Sequence, residues 1–292
     1  MTAGGTGIAG PEVRAASGGD LPAIAAILAA NDEPVEWPGQ PGWPYLEHVL
    51  ASHDLFVAEL GGQALGFAGT VRPGGAGGAT FLSDLFVRPD AQGRGIGRRL
   101  LEAAFDRPGP RATFASADPR ALPLYIRFGM LPRWPNLYLD GSADRLPEAA
   151  PELVIERVDD AAEIASLFRA LKGQDRAADA AYWLGLPGGS GFVARAGGRV
   201  AAVGVGRERR SGPGRWLARL AIAAGSDPRG MIPAVLRALA GGDAVGTCVA
   251  GPSPVVALLL EAGFRILESD TFCSTEPPLL DPLRDVPDPS LF

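Results

Sequence analysis

Between Phe81 and Phe105 the chain reads as a strand, a glycine-rich turn and an amphipathic helix in immediate succession. The turn is Gln92-Gly93-Arg94-Gly95-Ile96-Gly97, so small residues crowd the point where the helix begins. A helix start leaves its first backbone N–H groups without intrahelical partners, and the helix dipole adds partial positive charge there. With Arg94, Arg98 and Arg99 alongside, the segment makes an anion site suited to a diphosphate. Two common diphosphate loops do not match it. A dinucleotide fingerprint counted from Gly93 and Gly95 meets Arg98 where its third glycine belongs, and no Gly-Lys-Ser/Thr closes the turn as a triphosphate loop requires.

A chain of 292 residues has room for two domains of ordinary size. Its 47% hydrophobic and 21% charged residues suit a globular protein, and no apolar run reaches the roughly 18–20 residues that span a bilayer. Residues 1–10 have neither the basic start nor the apolar stretch of a secretory signal, so a disordered tail and a cytoplasmic protein with no membrane partner are expected. The net charge of -6 argues against nucleic acid. Cys248 and Cys273 form no disulfide framework or metal motif, and His48 and His53 are too few for a histidine metal site, so no metal is expected.

The elements fall into two series of the same layout. The first has a strand around Val13, a helix from Asp20 to Ala30 with Asp20 as N-cap, and a proline- and tryptophan-rich stretch to Pro44. A helix over Tyr45–Ala51 follows, then a hairpin turning at Gly61-Gly62, the strand to Val87 and the helix after the glycine-rich turn. A strand from Arg111, a helix over Ala121–Phe128 and a strand over Trp134–Asp140 complete it. The second series begins with a strand at Leu153–Val158 and a helix over Asp160–Leu171, then a hairpin turning at Gly197-Gly198. A strand around Trp216–Ala223, a helix over Met231–Ala240, a strand over Ala244–Ala250 and a helix over Pro254–Ala262 close it. The expected division is a tail over 1–10, a domain over 11–141, a linker over 142–151, a second domain over 152–275, and a proline-rich tail over 276–292 that wraps the surface.

Gln92-x-x-Gly95-x-Gly97, preceded by Val87-x-Pro89, resembles the acyl-CoA motif of the GCN5-related N-acetyltransferase (GNAT) superfamily. A second motif of that family matches in register at Ala121, Leu124, Tyr125 and Gly129, with Asp118 in place of asparagine and Met130 in place of phenylalanine. The element order agrees with the family as well. The resemblance implies an α/β fold of the α+β kind: tandem GNAT units, each a mixed, mostly antiparallel twisted sheet flanked by helices. The second copy has Gly225-Ser-Asp-Pro-Arg-Gly230 at the corresponding turn, with an Asp227 that repels a diphosphate and no counterpart of Tyr125, so it is read as degenerate.

The resemblance further implies N-acetyl transfer from acetyl-CoA to a primary amine of a small molecule or protein. Direct attack in a ternary complex is expected, since no cysteine lies near the motif to form an acyl-enzyme. Leu85, Phe86 and Val87 would pair with the pantetheine arm, and the backbone of Gly93, Arg94, Gly95, Ile96, Gly97 and Arg98, with Gln92, would hold the pyrophosphate. Asp118 would cap its helix or accept a pantetheine N–H. Tyr125 is the candidate general acid, a phenol matched to a departing thiolate, and Asp84 the candidate base. Glu33, Glu36 and Trp37 are candidate acceptor-binding residues, in the loop where the family builds its acceptor pocket. A small-molecule amine or peptide acceptor and a monomer or homodimer are expected. The alternative is a CoA-binding sensor or interaction module with weak catalysis, because Asp118 and Ser83 depart from the family's residues.

Overall fold

The computed structural model describes residues 10–34, 37, 40–74, 78–275 and 279–292. The chain forms two compact units, one of residues 1–71 with 82–108 and the other of residues 72–81 with 109–292. In both, mostly antiparallel strands carry helices. The expected disordered tail at 1–10 lies outside the described residues except for Gly10. No helix among the described residues is long and apolar enough to cross a membrane.

The first unit holds β1 (Glu12–Ala15), α1 (Leu21–Ala29), α2 (Pro44–Ser52), β2 (Asp54–Leu60), β3 (Gln63–Val71), most of β4 (Thr80–Val87) and α3 (Ile96–Ala104). β1 to β4 lie side by side in chain order, β1 and β3 both antiparallel to β2. The β2–β3 loop is two residues long, and Gly61 and Gly62 sit at φ 60° and 80°, the backbone such a hairpin turn demands. The helix α3 lies against β2 and β3 and buries Ile96, Leu100, Leu101 and Ala104, a stripe at 3.6-residue spacing. Asp20 differs from its expected role. It ends a 3-10 turn, and its carboxylate accepts from the Ser17 N–H at 2.8 Å and from Arg14 at 2.8 and 2.9 Å rather than capping α1. The strand neighbour Arg14 reaches it first, so the sequence-local cap loses to a tertiary ion pair.

The second unit holds β5 (Arg111–Ala115), α4 (Ala121–Arg127), β6 (Leu131–Ser142), β7 (Leu153–Val158), α5 (Ala161–Lys172), α6 (Ala177–Gly185), β8 (Ser190–Ala196) and β9 (Arg199–Glu208). It continues with β10 (Arg215–Ile222), α7 (Pro228–Ala240), β11 (Ala244–Ala250), α8 (Val255–Glu261), β12 (Arg265–Ser274) and β13 (Asp285–Val286). Its strands run in the order β5-β12-β6-β11-β10-β9-β8-β7, with β13 added on β10. β12 is antiparallel to both its neighbours, and β6 is antiparallel to β11. β6, the last strand of the first series, thus sits beside β11 of the second, and β12 sits between β5 and β6 of the first.

The helix α6 and the strands β12 and β13 have no counterpart in the sequence reading. α6 is alanine-rich and so offers little hydrophobic contrast, burying Asp179, Ala180 and Trp183. β12 carries Glu268, Ser269 and Asp270 in its middle, which hides its strand character. The tail also differs. Val286, Leu291 and Phe292 are 0%, 0% and 1% exposed, so this end of the chain is packed inside rather than laid over the surface.

Candidate functional site

In the first unit Asp84, Leu85, Phe86 and Val87 form the end of β4, and Gln92 bonds back to Val87. Strand alternation turns Asp84 inward, where it is 9% exposed. Its Oδ2 accepts from the Tyr45 hydroxyl at 2.5 Å and from the Ser83 hydroxyl at 2.7 Å. A buried carboxylate is costly without such donors, and two hydroxyls on one oxygen also fix its orientation. Space for it comes from β3: a Cβ on Gly69 would stand 2.7 Å from Asp84 Oδ2 and 2.8 Å from Ser83 Oγ. Any side chain at residue 69 would push the carboxylate off its present position.

Leu85, Phe86 and Val87 are half-buried, and the Phe86 ring stacks on Phe67 with centroids 5.7 Å apart. The Val87 carbonyl accepts from Gln92 Nε2 at 3.1 Å and from Asn31 Nδ2 at 3.4 Å. Gln92 therefore ties the turn back to the strand that precedes it. Asn31, at the end of α1, was not singled out from the sequence; its Nδ2 also bonds the Ile27 carbonyl at 2.8 Å, and nothing local in sequence marks the long-range contact to Val87.

The turn itself is exposed at Gly93, Arg94 and Gly95. Gly93 and Gly95 have φ 76° and 77°, in the left-handed region that glycine enters without penalty. Gly95 is the N-cap of α3 and makes no side-chain cap, so the amides of Ile96, Gly97 and Arg98 open the helix with no capping carboxylate in front of them. Ile96 anchors this start in the core at 2% exposure, and Arg98 lies outside, paired with Glu102 at 2.8 Å. Arg94 donates to the Asp90 carbonyl at 3.2 Å and Arg99 to the Pro11 carbonyl at 3.0 Å. A helix start of this kind fits a diphosphate: bare N–H groups, glycines that let the ligand approach, and arginines at the edge.

Of the expected acceptor residues, Glu33 is exposed, Trp37 is buried at 4% exposure, and Glu36 lies outside the described residues. Tyr45 stands on the first turns of α2 and reaches the site through Asp84.

The second unit carries the other motif. Asp118 precedes α4 and accepts from the Arg120 N–H at 2.8 Å and from the Arg120 guanidinium at 2.6 Å. That arginine holds the Asp118 carboxyl below its ordinary range against the opposing effect of burial. Tyr125 is 6% exposed on α4, whose end is closed by Gly129 at φ 82° and by Met130 N–H donating to the Tyr125 carbonyl at 3.1 Å. The corresponding turn of the second series differs in kind from the first: Asp227 caps α7, its carboxylate accepting from Arg229 N–H at 3.0 Å and Gly230 N–H at 3.1 Å. Cys248 and Cys273 are both free and buried, and burial pushes their thiols up to about 12 and about 11, far from a reactive thiolate.

Residues 51–129, which include the glycine-rich turn and Tyr125, match the family described as Acetyltransferase (GNAT) domain. No curated protein matches the sequence. Among solved structures, a candidate acetyltransferase from Pyrococcus horikoshii superposes with a TM-score of 0.65 at 15% identity, over 96% of this chain and 94% of that one. A tandem GNAT protein from the clavulanic acid biosynthesis pathway gives 0.58 at 17% identity, over 93% of this chain and 100% of that one. A GCN5-related N-acetyltransferase from Sphaerobacter thermophilus gives 0.54 at 16% identity, over 97% and 98%. At these identities the likeness is one of fold, and it extends over both sequence series. The chain therefore carries a GNAT acetyltransferase domain, matched over residues 51–129, within the fold that tandem GNAT proteins share.

Proposed function

We propose that this chain is an N-acetyltransferase that moves an acetyl group from acetyl-CoA to a primary amine of a small molecule or protein, by direct attack in a ternary complex. Acyl transfer is the general chemistry of the family matched at residues 51–129. The observation that carries the finer reading is the bare start of α3: Gly93 and Gly95 in the left-handed region, and no side-chain cap before Ile96. Gly93 to Arg98 would hold the pyrophosphate, and Leu85, Phe86 and Val87 would pair with the pantetheine arm. Bound there, acetyl-CoA supplies an activated thioester.

Each remaining role falls to a group of this chain. Asp84 takes the proton that an aliphatic ammonium must lose before it attacks, and Tyr45 and Ser83 hold that carboxylate in place. The Val87 N–H is the donor for the oxyanion that develops on the acyl carbonyl. Tyr125 gives its phenolic proton to the departing thiolate. Glu33, Glu36 and Trp37 are proposed to meet the acceptor.

Release of free thiol from acetyl-CoA over a panel of amines, aminoglycosides, amino acids and peptides tests the reading. Tyr125→Phe is expected to lower turnover at least about tenfold, as loss of a positioned acid does, with acetyl-CoA affinity unchanged. Turnover undiminished across the pH range removes Tyr125 from the mechanism. Calorimetric binding of acetyl-CoA with no turnover of any acceptor would favour a sensor instead.

A further inference from the structure

The second unit contains a crevice that its own chain fills. β10 and β11 begin as parallel neighbours, pairing at Arg215↔Val245, Trp216↔Gly246 and Leu217↔Thr247. The pairing then stops, although β10 continues to Ile222 and β11 to Ala250. The register of β10 against β9 shifts between Leu217 and Arg219, an irregularity that bends the strand away. Parallel strands that part at their C-terminal ends, before the helix that crosses between them, leave a crevice of the kind in which α/β folds bind ligands.

Here the occupant is the segment Asp285–Phe292. β13 pairs antiparallel with the parted end of β10, Leu220↔Val286 and Ala221↔Asp285, and Ile222 N–H donates to the Arg284 carbonyl at 2.9 Å. From β11, Cys248 Sγ donates to the Pro287 carbonyl at 2.9 Å. Lys172 pairs with Asp285 at 2.8 Å, and Trp183 Nε1 donates to Asp288 at 2.8 Å. Beyond these, Arg176 donates to the carbonyls of Leu291 and Phe292 at 2.8 and 2.6 Å. The Arg176 and Arg219 guanidiniums lie 6.0 and 5.8 Å from the Phe292 ring centre.

The helix after β10 is closed as well, because the Asp227 carboxylate takes the Arg229 and Gly230 amides. An anion at that helix start would lose both donors and meet a fixed negative charge.

We propose that Asp285–Phe292 is a built-in strand plug. It occupies the crevice through which the second series would take an acyl-CoA, so that the chain binds acyl-CoA at the first series only. This rests on the acyl-CoA reading of the glycine-rich turn at Gly93–Gly97. In position and pairing the plug mimics an extended ligand: its backbone lies in strand register with Leu220 and Ala221 as an amide-bearing arm would.

Calorimetry with acetyl-CoA and hydrogen exchange on the full chain test the plug together. The wild type is expected to titrate to one acetyl-CoA per chain, and Gly95→Asp, which places a carboxylate at the open helix start, to none. Amides of Leu220, Ile222 and Val286 are expected to exchange at least about 100-fold more slowly than unstructured chain, as sheet interiors do. Val286→Arg, which forces a charge into a position 0% exposed, is expected to speed those amides at least tenfold and leave α3 unchanged. If Val286→Arg does not fold, Phe292→Ala loosens the same segment without burying a charge and is read the same way. Two acetyl-CoA per chain in the wild type, one remaining in Gly95→Asp, or unprotected amides at Val286 would each overturn the plug. If the wild type binds no acetyl-CoA, the acetyltransferase reading fails, and the exchange rates alone decide whether the segment fills its crevice.

Discussion

Arg14 shows how a single side chain fixes the start of the fold. From β1 it bonds Asp20 at the head of α1 and Glu59 on β2, at 2.8 and 2.6 Å, so one guanidinium joins three consecutive pieces of structure. The pair with Asp20 is the sheltered one, since the Asp20 side chain is 14% exposed. Hydrogen bonds from Arg14, and then from the Ser17 backbone and hydroxyl, hold the Asp20 carboxyl well below the usual carboxylate range; burial opposes them and loses. The folded state therefore binds fewer protons at Asp20 than the unfolded state does, and stability rises with pH across that interval. The contribution is present above the unfolded value of about 4 and is lost as pH falls through the lower folded one. Asp20→Asn should accordingly cost about 1–2 kcal/mol at pH 7, the range for a lost cap or charge-assisted bond. The gap to the wild type should narrow steadily below about pH 4. Urea unfolding at a series of pH values reads both quantities, and a gap that does not change with pH would show that the ion pair adds nothing.

At the scale of elements, the informative comparison is between two helix starts at matching places in the two series. α3 begins at a left-handed glycine with no cap, whereas α7 begins at an aspartate that satisfies two of its amides. A glycine N-cap forgoes only a few tenths of a kcal/mol relative to a capping side chain, a small loss that ligand binding at α3 would offset. The glycines there act through backbone conformation alone, because a Cβ at Gly93 or Gly95 would have nothing within 4 Å. Gly93→Ala and Gly95→Ala should therefore each destabilise by about 1–2 kcal/mol, the cost of a left-handed backbone for an ordinary residue. Denaturant unfolding checks this, and a loss of more than about 3 kcal/mol would mean that crowding, not conformation, requires glycine. Much at this scale was legible in the sequence, because turns and helix starts are written locally: the Gly61-Gly62 and Gly197-Gly198 hairpins and the Gln92–Gly97 turn depend on neighbouring residues only. What was not legible depends on partners far along the chain. Asn31 reaches Val87 and Tyr45 reaches Asp84 across 56 and 39 positions, and no local pattern announces either contact. β12 escaped in part for a similar reason, since Asp270 in its middle is met by Tyr138, whose hydroxyl donates to it at 2.6 Å, while Glu268 and Ser269 are simply exposed.

For the whole molecule, the exchange of final strands matters more than the duplication itself. The sequence reading closes the second series at the helix over Pro254–Ala262; the structure adds β12, which enters between β5 and β6, and β6 pairs onward with β11. The seam is apolar and aromatic. Phe272 of β12 is 0% exposed and sits between Phe114 of β5, 5.3 Å away, and Trp134 of β6, 4.9 Å away, measured between ring centres. Removing that ring deletes both ring contacts and opens a cavity, which places Phe272→Ala in the range of about 3–5 kcal/mol. The pattern of the loss is more telling than its size. If the inserted strand is what binds the two series, amides of Ala112–Ala115 and of Trp134–Leu139 should speed up in hydrogen exchange together with those of β12, by a common factor. Faster exchange confined to β12, with β5 and β6 still protected, would show that the first series closes without its borrowed strand. A common factor follows only from a shared sheet, because β5 and β6 have no pairing to each other and hold together through β12.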